Sequence, residues 1–224
     1  MITVYSAIYN NYDDLLAFPE QDIDCQFILF TDRPYYSAQR KMNIYHSEEF
    51  DQVSDNLKAR YIKTHSHILD WVKDWLSLWI DGNTIIKSPS TVRKIVENYK
   101  EWVLCFKHFG RENVLEEMEH LQSLEKFSWE KDKIEIQKKR YIADWYKFDN
   151  GLSCSGVMLR DNSRQTEEFN EMRRKEISEN SVRDQVSMHY CAWKLWMIID
   201  YFPREYPKNE YIWYRRHVHL LLKE

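Results

Sequence analysis

The sequence predicts a single-domain α/β protein in which a central sheet of mostly parallel strands is flanked by helices. Two observations lead to this prediction. Short runs of apolar and β-branched residues alternate with segments whose apolar residues recur at helical spacing, which is the pattern of a sheet built from βαβ units. The chain has 224 residues, of which 43% are hydrophobic. This length supports one sizeable core, so we expect one domain over residues 1–224.

The N-terminal half supplies most of the expected sheet. Strands are predicted at residues 2–8, 25–30, 43–45 and 76–80. A short helix is expected at residues 12–18, between the first two strands. A longer helix begins near residue 54, because Leu57, Tyr61 and Leu69 return at helical spacing.

The C-terminal half adds strands and most of the helices. Strands are predicted at residues 102–106 and 155–159, and helices at residues 89–98, 164–177 and 182–196. The segment 111–148 is charged and has no proline or glycine. We expect it to form two helices outside the sheet, as an insertion. Four tryptophans recur in pairs at helical spacing and are expected in the core: Trp71, Trp75, Trp193 and Trp196.

The composition disfavours several classes of function. With 36 acidic and 32 basic residues the formal net charge is −4, which argues against a nucleic-acid backbone as the main partner. No apolar run reaches the roughly 20 residues of a membrane-spanning helix, and the N-terminus lacks a secretory pattern, so we expect an intracellular protein. The cysteines have no zinc-site or disulfide spacing and are expected to be free thiols: Cys25, Cys105, Cys154 and Cys191.

The first candidate for chemistry is Asp81-Gly82-Asn83, directly after the strand at residues 76–80. A carboxylate and an amide oxygen stand two residues apart, and open α/β sheets bind ligands at the carboxyl ends of their strands. Such oxygen ligands suit Mg²⁺ or Mn²⁺ shared with a substrate phosphate. The same three residues also make a good turn, so the motif alone leaves both interpretations open.

Other motifs accompany this one in a fixed order. They are Tyr5-Ser6-Ala7-Ile8 with Asn10, Phe30-Thr31-Asp32, Ala59-Arg60-Tyr61 with Lys63, His108 with Arg111 and Glu112, Gly151-Leu152, Ser155-Gly156-Val157-Met158-Leu159-Arg160, and Ser181 with Arg183-Asp184-Gln185. The series spans about residues 2–195 and resembles a family of GT-A glycosyltransferases found in bacterial polysaccharide clusters, plants and large algal viruses. Its later motifs also resemble family 8 glycosyltransferases, in which an Asn-Ser-Gly-Val strand precedes an Asp-Gln pair on a helix.

This resemblance implies a GT-A, Rossmann-like fold and a metal-dependent enzyme. The reaction would move a hexose or pentose from a nucleotide-sugar donor, most simply a UDP-sugar, to a glycan or glycoprotein acceptor. Family 8 enzymes retain the anomeric configuration. The cofactor would be Mn²⁺ or Mg²⁺. We expect a cytoplasmic protein, in the cytoplasm of the host cell if a virus encodes it.

The implied metal ligands are Asp81, Asn83 and His217. GT-A enzymes usually carry Asp-X-Asp, whereas the last position here is Asn83, so the protein offers one negative charge instead of two. We therefore expect weak metal binding until the donor diphosphate adds its own charge. His217 is included because family 8 enzymes use a histidine near the C-terminus as a metal ligand, and His219 is the alternative ligand.

The residues implied in donor binding are Ser6, Ala7, Asn10, Asp32, Arg60, Lys63, Asp81, Gly82, Asn83, His108 and Gly156. Arg60 suits a bidentate phosphate contact and Lys63 a point-charge contact. As alternatives, both are solvated helix residues. Asp32 would bond the base or ribose, or only cap the following turn. His108 would reach the donor sugar or phosphate, or lie on the surface.

Asp184 and Gln185 are the implied catalytic residues. The Asp184 carboxylate would bond the hydroxyls of the transferred sugar, with Gln185 beside it to orient it or to stabilise charge. A carboxylate in the first turn of a helix is also favoured by the helix dipole, which is a purely structural alternative. If the enzyme inverts the anomeric configuration, Asp184 is instead the candidate base for the acceptor hydroxyl.

Two other functions fit part of the pattern. A catalytically silent module that binds nucleotide or carbohydrate could keep the fold, and Asn83 favours it. A metal-dependent phosphohydrolase normally gathers more carboxylates than Asp32, Asp81 and Asp184 provide. A dinucleotide-binding dehydrogenase is disfavoured, because no Gly-X-Gly-X-X-Gly follows the first strand.

Overall fold

A computed structural model describes residues 1–10, 12–14, 18–32, 43–45, 55–67, 69, 72, 75–204, 206 and 209–215. Nine strands lie in these ranges: β1 (Ile2–Ile8), β2 (Cys25–Thr31), β3 (Asn43–Tyr45), β4 (Leu76–Ile80), β5 (Thr84–Ile86), β6 (Val103–Lys107), β7 (Ser153–Asp161), β8 (Ile199–Tyr201) and β9 (Ile212–Tyr214).

Seven of these strands form one sheet, in the order β3-β2-β1-β4-β7-β6-β8. Within it β7 is antiparallel to both of its neighbours, β4 and β6. The other neighbouring pairs are parallel. β5 and β9 form a separate antiparallel pair. The mostly parallel sheet flanked by helices is therefore confirmed, and β5, β8 and β9 add to the strands predicted from the sequence.

The same described ranges contain six α-helices: α1 (Asp55–Lys63), α2 (Thr91–Glu97), α3 (Val114–Ser123), α4 (Lys131–Ala143), α5 (Arg164–Glu179) and α6 (Asp184–Lys194). A 3₁₀ helix at Glu125–Glu130 links α3 to α4. Asn113 and Ser163 cap α3 and α5, since their side chains accept hydrogen bonds from backbone N–H groups of the first turn. No helix in the described ranges combines the length and apolar composition needed to cross a bilayer.

The predicted helix from residue 54 ends earlier than expected, at Lys63 instead of near Leu69. The Thr64 hydroxyl donates a hydrogen bond to the carbonyl oxygen of Arg60 at 3.1 Å. Nδ1 of His65 lies 2.5 Å from the carbonyl oxygen of Tyr61. These side chains satisfy the last carbonyls of α1 in place of another helical turn.

The helix predicted at residues 12–18 is wrong for its described residues, 12–14 and 18, which are not helical. Instead, the N–H of Tyr12 bonds to the carbonyl oxygen of Tyr9 at 3.1 Å and closes a turn after β1.

The tryptophans predicted in the core divide between core and surface. Trp193 packs against the core, whereas Trp75 is 67% exposed and Trp196 is 88% exposed. Trp196 follows α6 with a left-handed φ of 55°, where the helix has ended, and Trp75 precedes β4. Trp71 lies outside the described residues.

The sheet separates two apolar clusters, because successive side chains of a strand point to opposite faces. One face carries Tyr5, Trp79 and Met158, which pack with residues of α1 and of α3 to α6. The other face carries Val4 and Leu78, which pack with α2. The charged site described below lies on the first face, at the carboxyl end of β4.

The segment 111–148 is helical, as predicted, but it is not peripheral to the core. Met118, Ile134 and Tyr141 are fully buried in the cluster on the first face of the sheet. α3 also packs against α6. This segment therefore supports the helix that begins with Asp184.

Candidate functional site

The Lys63 side chain lies at the centre of a charged cluster where β4 ends. Lys63 is 4% exposed, so it is not a solvated helix residue. Its Nζ lies 2.8 Å from Oδ2 of Asp184 and 3.4 Å from Oδ1 of Asp81. It also donates a hydrogen bond to the Ser155 hydroxyl at 3.1 Å. One ammonium group therefore joins two carboxylates that the sequence places far apart.

The Asp184 carboxylate is the most heavily engaged group of this cluster. Its Oδ2 accepts from the Ser155 hydroxyl at 2.8 Å and from the Arg173 guanidinium at 3.4 Å, in addition to Lys63. Burial alone would raise the pKa of Asp184, but Lys63 and Arg173 outweigh burial and hold that pKa well below its usual range. Asp184 is therefore ionised at neutral pH and can accept hydrogen bonds, but it is a poor proton acceptor.

Of the two carboxylate oxygens of Asp81, Oδ1 accepts hydrogen bonds from described residues and Oδ2 does not. Its Oδ1 accepts from the indole N–H of Trp79 at 2.6 Å. Among the described residues no donor bonds to Oδ2, and the side chain is 38% exposed. A Cβ added at Gly156 would lie only 3.1 Å from this Oδ2. The absence of a side chain at Gly156 thus keeps the open side of Asp81 accessible.

Among the described residues, Asp81 could hold a hard divalent cation together with the phosphates of a substrate. Asp81 Oδ2 supplies one carboxylate oxygen, and Mg²⁺ is often bound by one or two carboxylates together with substrate phosphates. Nδ2 of Asn83 donates to the carbonyl oxygen of Arg215 at 2.9 Å, which fixes the orientation of the amide, whereas a metal would be bound by the other end of the amide, Oδ1. The described ranges contain no group of three or more His, Cys, Asp or Glu side chains that could hold a metal. His217 and the alternative His219 lie outside those ranges.

Asp32 and Asn10 meet where β2 and β1 end. Oδ2 of Asp32 accepts from the backbone N–H of Asn10 at 2.9 Å, and Asn10 has a left-handed φ of 52°. Asp32 therefore holds the turn after β1, whereas the turn that follows Asp32, which the alternative would have it cap, lies outside the described residues. Both residues are exposed, so they also remain accessible to a ligand.

Ser6 and Ala7 lie on opposite faces of β1. Ala7 is on the same face as Tyr5 and the charged cluster. The Ser6 hydroxyl is buried on the opposite face, where it has no hydrogen-bond partner among the described residues. A Cβ at Gly82 would lie 2.7 Å from Cγ1 of Ile8, so glycine there allows the turn after β4 to pack closely on β1.

Gln185 is fixed at both ends of its side-chain amide. Its Oε1 accepts from the Arg183 guanidinium at 2.8 Å, and its Nε2 donates to the carbonyl oxygen of Ser153 at 3.0 Å. Gln185 therefore ties the start of α6 to β7. Arg60 lowers the pKa of Asp184 electrostatically, which places Arg60 on the same side of the site.

His108 follows β6 and is 8% exposed. Its Nδ1 accepts hydrogen bonds from the backbone N–H groups of Gly110 and Arg111. The ring therefore shapes its own turn, and a contact with the donor stays a prediction.

Three residues of the cluster were not predicted as site residues. Ser155 stands inside a sequence motif, and Trp79 lies in β4 two residues before Asp81, which places both side chains on the same side. Arg173 lies in a charged helix, but it is four residues from both Phe169 and Ile177, which are buried. That spacing places Arg173 on the buried face of α5 and is the signal that could have identified it.

A second buried arginine, Arg160, lies beneath the cluster. Its guanidinium donates to Oδ1 of Asn170 at 2.6 Å and to the Tyr5 hydroxyl. The Tyr5 hydroxyl in turn donates to the carbonyl oxygen of Lys63 at 3.3 Å. Burial lowers the pKa of Arg160 to about 10. This chain of contacts links β7 to the end of α1 and helps to fix the backbone of Lys63.

No protein-family model matches this chain, and no curated protein matches it. Similar solved structures include the apo-form glycosyltransferase GlyE of Streptococcus pneumoniae TIGR4, with 10% identity and a TM-score of 0.47 over 89% of this chain. The galactosyltransferase LgtC, in complex with donor and acceptor sugar analogs, has 11% identity and a TM-score of 0.46 over 90% of this chain. The mannosyltransferase Ktr4p from S. cerevisiae has 11% identity and a TM-score of 0.39 over 80%. This chain spans 44%, 73% and 61% of their respective lengths.

Proposed function

We propose that this chain is a metal-dependent glycosyltransferase that moves a sugar from a UDP-sugar to a glycan or glycoprotein acceptor with retention of configuration. The observation that carries the proposal is the buried Lys63 ammonium between Asp81 and Asp184. It sets a fixed cation beside a fixed anion at the sheet edge where open α/β proteins bind ligands. The ordered motifs of the sequence support the same reaction.

Lys63 and Arg60 are suited to the leaving diphosphate. Departure of a nucleoside diphosphate builds negative charge on the β-phosphate. Because Lys63 is already held in place by Asp184 and Ser155, its charge needs little reorganisation as the reaction proceeds. Arg60, in the last turn of the same helix, can add a bidentate phosphate contact.

Asp81 is the proposed protein ligand of the metal. Mn²⁺ (or Mg²⁺) bound to Asp81 Oδ2 and the donor phosphates would supply Lewis-acid stabilisation of the leaving group. A single carboxylate predicts that metal and donor bind cooperatively, each raising the affinity of the other by the same factor. Asn83 and His217 remain proposed additional ligands.

The geometry of Asp184 favours retention over inversion. An inverting enzyme needs a base to take the proton of the acceptor hydroxyl. Asp184 is unsuited to that role, since its pKa is held low and three donors engage its Oδ2. The same carboxylate is well suited to accept hydrogen bonds from the hydroxyls of the transferred sugar.

A thermal-shift panel of nucleotide sugars, with and without Mn²⁺, tests the proposal. Ligands that bind the native state raise its apparent stability by mass action. We expect UDP-sugars to raise the unfolding midpoint, and Mn²⁺ to enlarge that rise. In the Asp81→Asn variant the Mn²⁺-dependent part of the midpoint rise should be lost, because the substitution removes the carboxylate charge with little change of shape. Asp144→Asn is the matched control, since Asp144 pairs with Lys194 at the other end of α6, and it should respond as the wild type does.

Two outcomes would contradict parts of this proposal. No midpoint change with any nucleotide sugar would contradict donor binding. Donor binding without release of diphosphate would identify a catalytically silent binding module. The structural use of the Asn83 amide is the observation that favours this second candidate.

A further inference from the structure

Phe109 presents an aromatic ring to solvent beside the charged cluster. It lies two residues after β6 and is 62% exposed. Its ring stacks on that of His108, with centroids 5.2 Å apart and planes inclined by 10°. One face of the Phe109 ring is therefore covered by His108, and the other face is open.

The ring of His108 gives Phe109 a rigid support. Nδ1 of His108 accepts from the N–H of Gly110 at 3.1 Å and from that of Arg111 at 2.9 Å. Burial and the nearby Arg111 guanidinium lower the pKa of His108, so the imidazole is neutral at neutral pH and Nδ1 keeps its lone pair. A ligand that stacks on Phe109 thus meets a surface that needs little ordering.

Phe109 is continuous with the proposed reaction site. Its ring centroid lies 6.3 Å from that of Tyr206. The Tyr206 hydroxyl lies 3.9 Å from the Cβ position of Gly156, and the same position lies 3.1 Å from Asp81 Oδ2. The ring of Tyr214 lies on another side of Tyr206, with the two ring centroids 5.7 Å apart. Tyr206 therefore lies between the Phe109 ring and the glycine beside Asp81.

We propose that Phe109 and Tyr206 form the acceptor subsite, in which Phe109 stacks against the pyranose ring of the acceptor sugar. The proposal rests on the transferase function proposed above. A pyranose has an apolar face of C–H groups and a rim of hydroxyls. The open phenyl ring complements that face, and the Tyr206 hydroxyl can bond the rim. Gly156 leaves the space between Tyr206 and Asp81 uncovered by a side chain.

The chemistry of the subsite predicts its selectivity. The phenyl ring carries no hydrogen-bonding group, so Phe109 recognises the face of a pyranose and not a particular set of hydroxyls. The subsite should therefore accept several hexopyranosides with a similar exposed C–H face.

Saturation-transfer NMR on the full chain tests the subsite, with methyl glycosides of glucose, galactose and mannose as millimolar probes. The wild type should transfer saturation to ring protons of at least one probe. Phe109→Ala should weaken that affinity about three- to tenfold, the size of one aromatic contact, and Phe109→Trp should preserve it. Trp145→Ala is the matched control, because Trp145 is 86% exposed beyond the end of α4. It should bind as the wild type does.

Three results would overturn the subsite: unchanged affinity in Phe109→Ala, equal losses in both alanine variants, or no saturation transfer to any probe. Since both side chains are exposed, the unfolding midpoints of all variants should match that of the wild type. UDP-sugar binding is measured on the same samples. A chain that binds the donor but none of the glycosides refutes the subsite alone, whereas a chain that binds no nucleotide sugar refutes the proposed function.

Discussion

At the scale of single residues, Lys63 supplies the positive charge that balances the two carboxylates of the site. Its ammonium lies between Asp81 and Asp184, which would repel each other without a cation between them. It is also the largest of the electrostatic influences that lower the pKa of Asp184. Lys63 therefore links Asp81, the proposed metal ligand, to Asp184, the proposed sugar-binding carboxylate.

Replacement of this lysine predicts a large loss of activity. Lys63→Met should slow the release of UDP from a UDP-sugar by about 100- to 1,000-fold, the range observed when one preorganised electrostatic group is removed. Initial rates at saturating donor measure the effect. Lys94→Met is the control, because Lys94 is a partly exposed lysine on α2 that pairs with Glu210. A Lys63→Met rate equal to that of the control would show that Lys63 is not part of the machinery.

The sequence named most of the residues in the cluster but not their surroundings. Asp81, Lys63 and Asp184 were all predicted as site residues, and the structure brings them together. The burial of Lys63 was not predictable, because α1 is rich in polar residues and local periodicity does not show which neighbours cover it. The hydrogen bond from Asn83 to Arg215 depends on the pairing of β5 with β9, two strands that are far apart in the sequence.

At the scale of elements, the segment 111–148 holds the start of α6. Glu130 is fully buried and accepts from the Ser181 hydroxyl at 3.1 Å and from the Val182 N–H at 2.8 Å. Arg183 adds an ion pair at 3.7 Å to Glu117, which is also fully buried. α6 has no side-chain N-cap of its own. These two acids therefore orient the turn that presents Asp184.

Glu130 is accordingly expected to act as a positioning residue. Glu130→Gln replaces one of the two accepting oxygens by an N–H₂ group, so one of the two hydrogen bonds cannot form as it does with the carboxylate. The substitution should therefore lower kcat about tenfold with little change in the donor KM. Steady-state kinetics and the unfolding midpoint are measured together. Asp161→Asn is the control, because Asp161 is a buried acid bonded by Tyr99 and Ser163 just before α5, away from this turn.

Both substitutions should lower the midpoint, and only Glu130→Gln should lower kcat. If the loss of kcat in the two variants simply follows the loss of stability, Glu130 has no positioning role.

Elements with a strong local signal were predicted, and those that depend on distant partners were not. β1 and β4 are continuous buried runs, and α3 and α5 begin at side-chain caps, so local sequence shows them. β5, β8 and β9 have three residues each. Three residues carry little periodicity, so the local signal of such strands is weak, although β3, which has the same length, was predicted. Their pairing is decided by tertiary contacts.

At the scale of the whole molecule, two buried histidines make stability depend on pH. Burial lowers the pKa of both His65 and His189 to about 4. The unfolded chain, with an ordinary pKa of about 6.5, therefore takes up protons first as the pH falls. Stability should be complete above about pH 6.5 and fall between about pH 6.5 and 4 through these two histidines, and the low pKa of Asp184 should lower it further at more acidic pH.

Urea unfolding across this range tests the expectation. The free energy of unfolding should decrease by on the order of 1–3 kcal/mol per histidine between about pH 7.5 and 4.5. His189→Gln should reduce the pH slope, whatever it does to the absolute stability. His120→Gln is the control, because His120 is exposed, and it should leave the slope unchanged. A flat pH profile in the wild type would show that the two histidines titrate normally.

The most direct measurement of the central claim is the product formed from a UDP-sugar by the wild-type chain with Mn²⁺. The site geometry predicts release of UDP and transfer of the sugar with its anomeric configuration retained, both followed in one sample by proton NMR. Asp184→Asn should slow the release by about 100-fold or more. A donor that binds and is never cleaved, or a product of inverted configuration, would contradict the account.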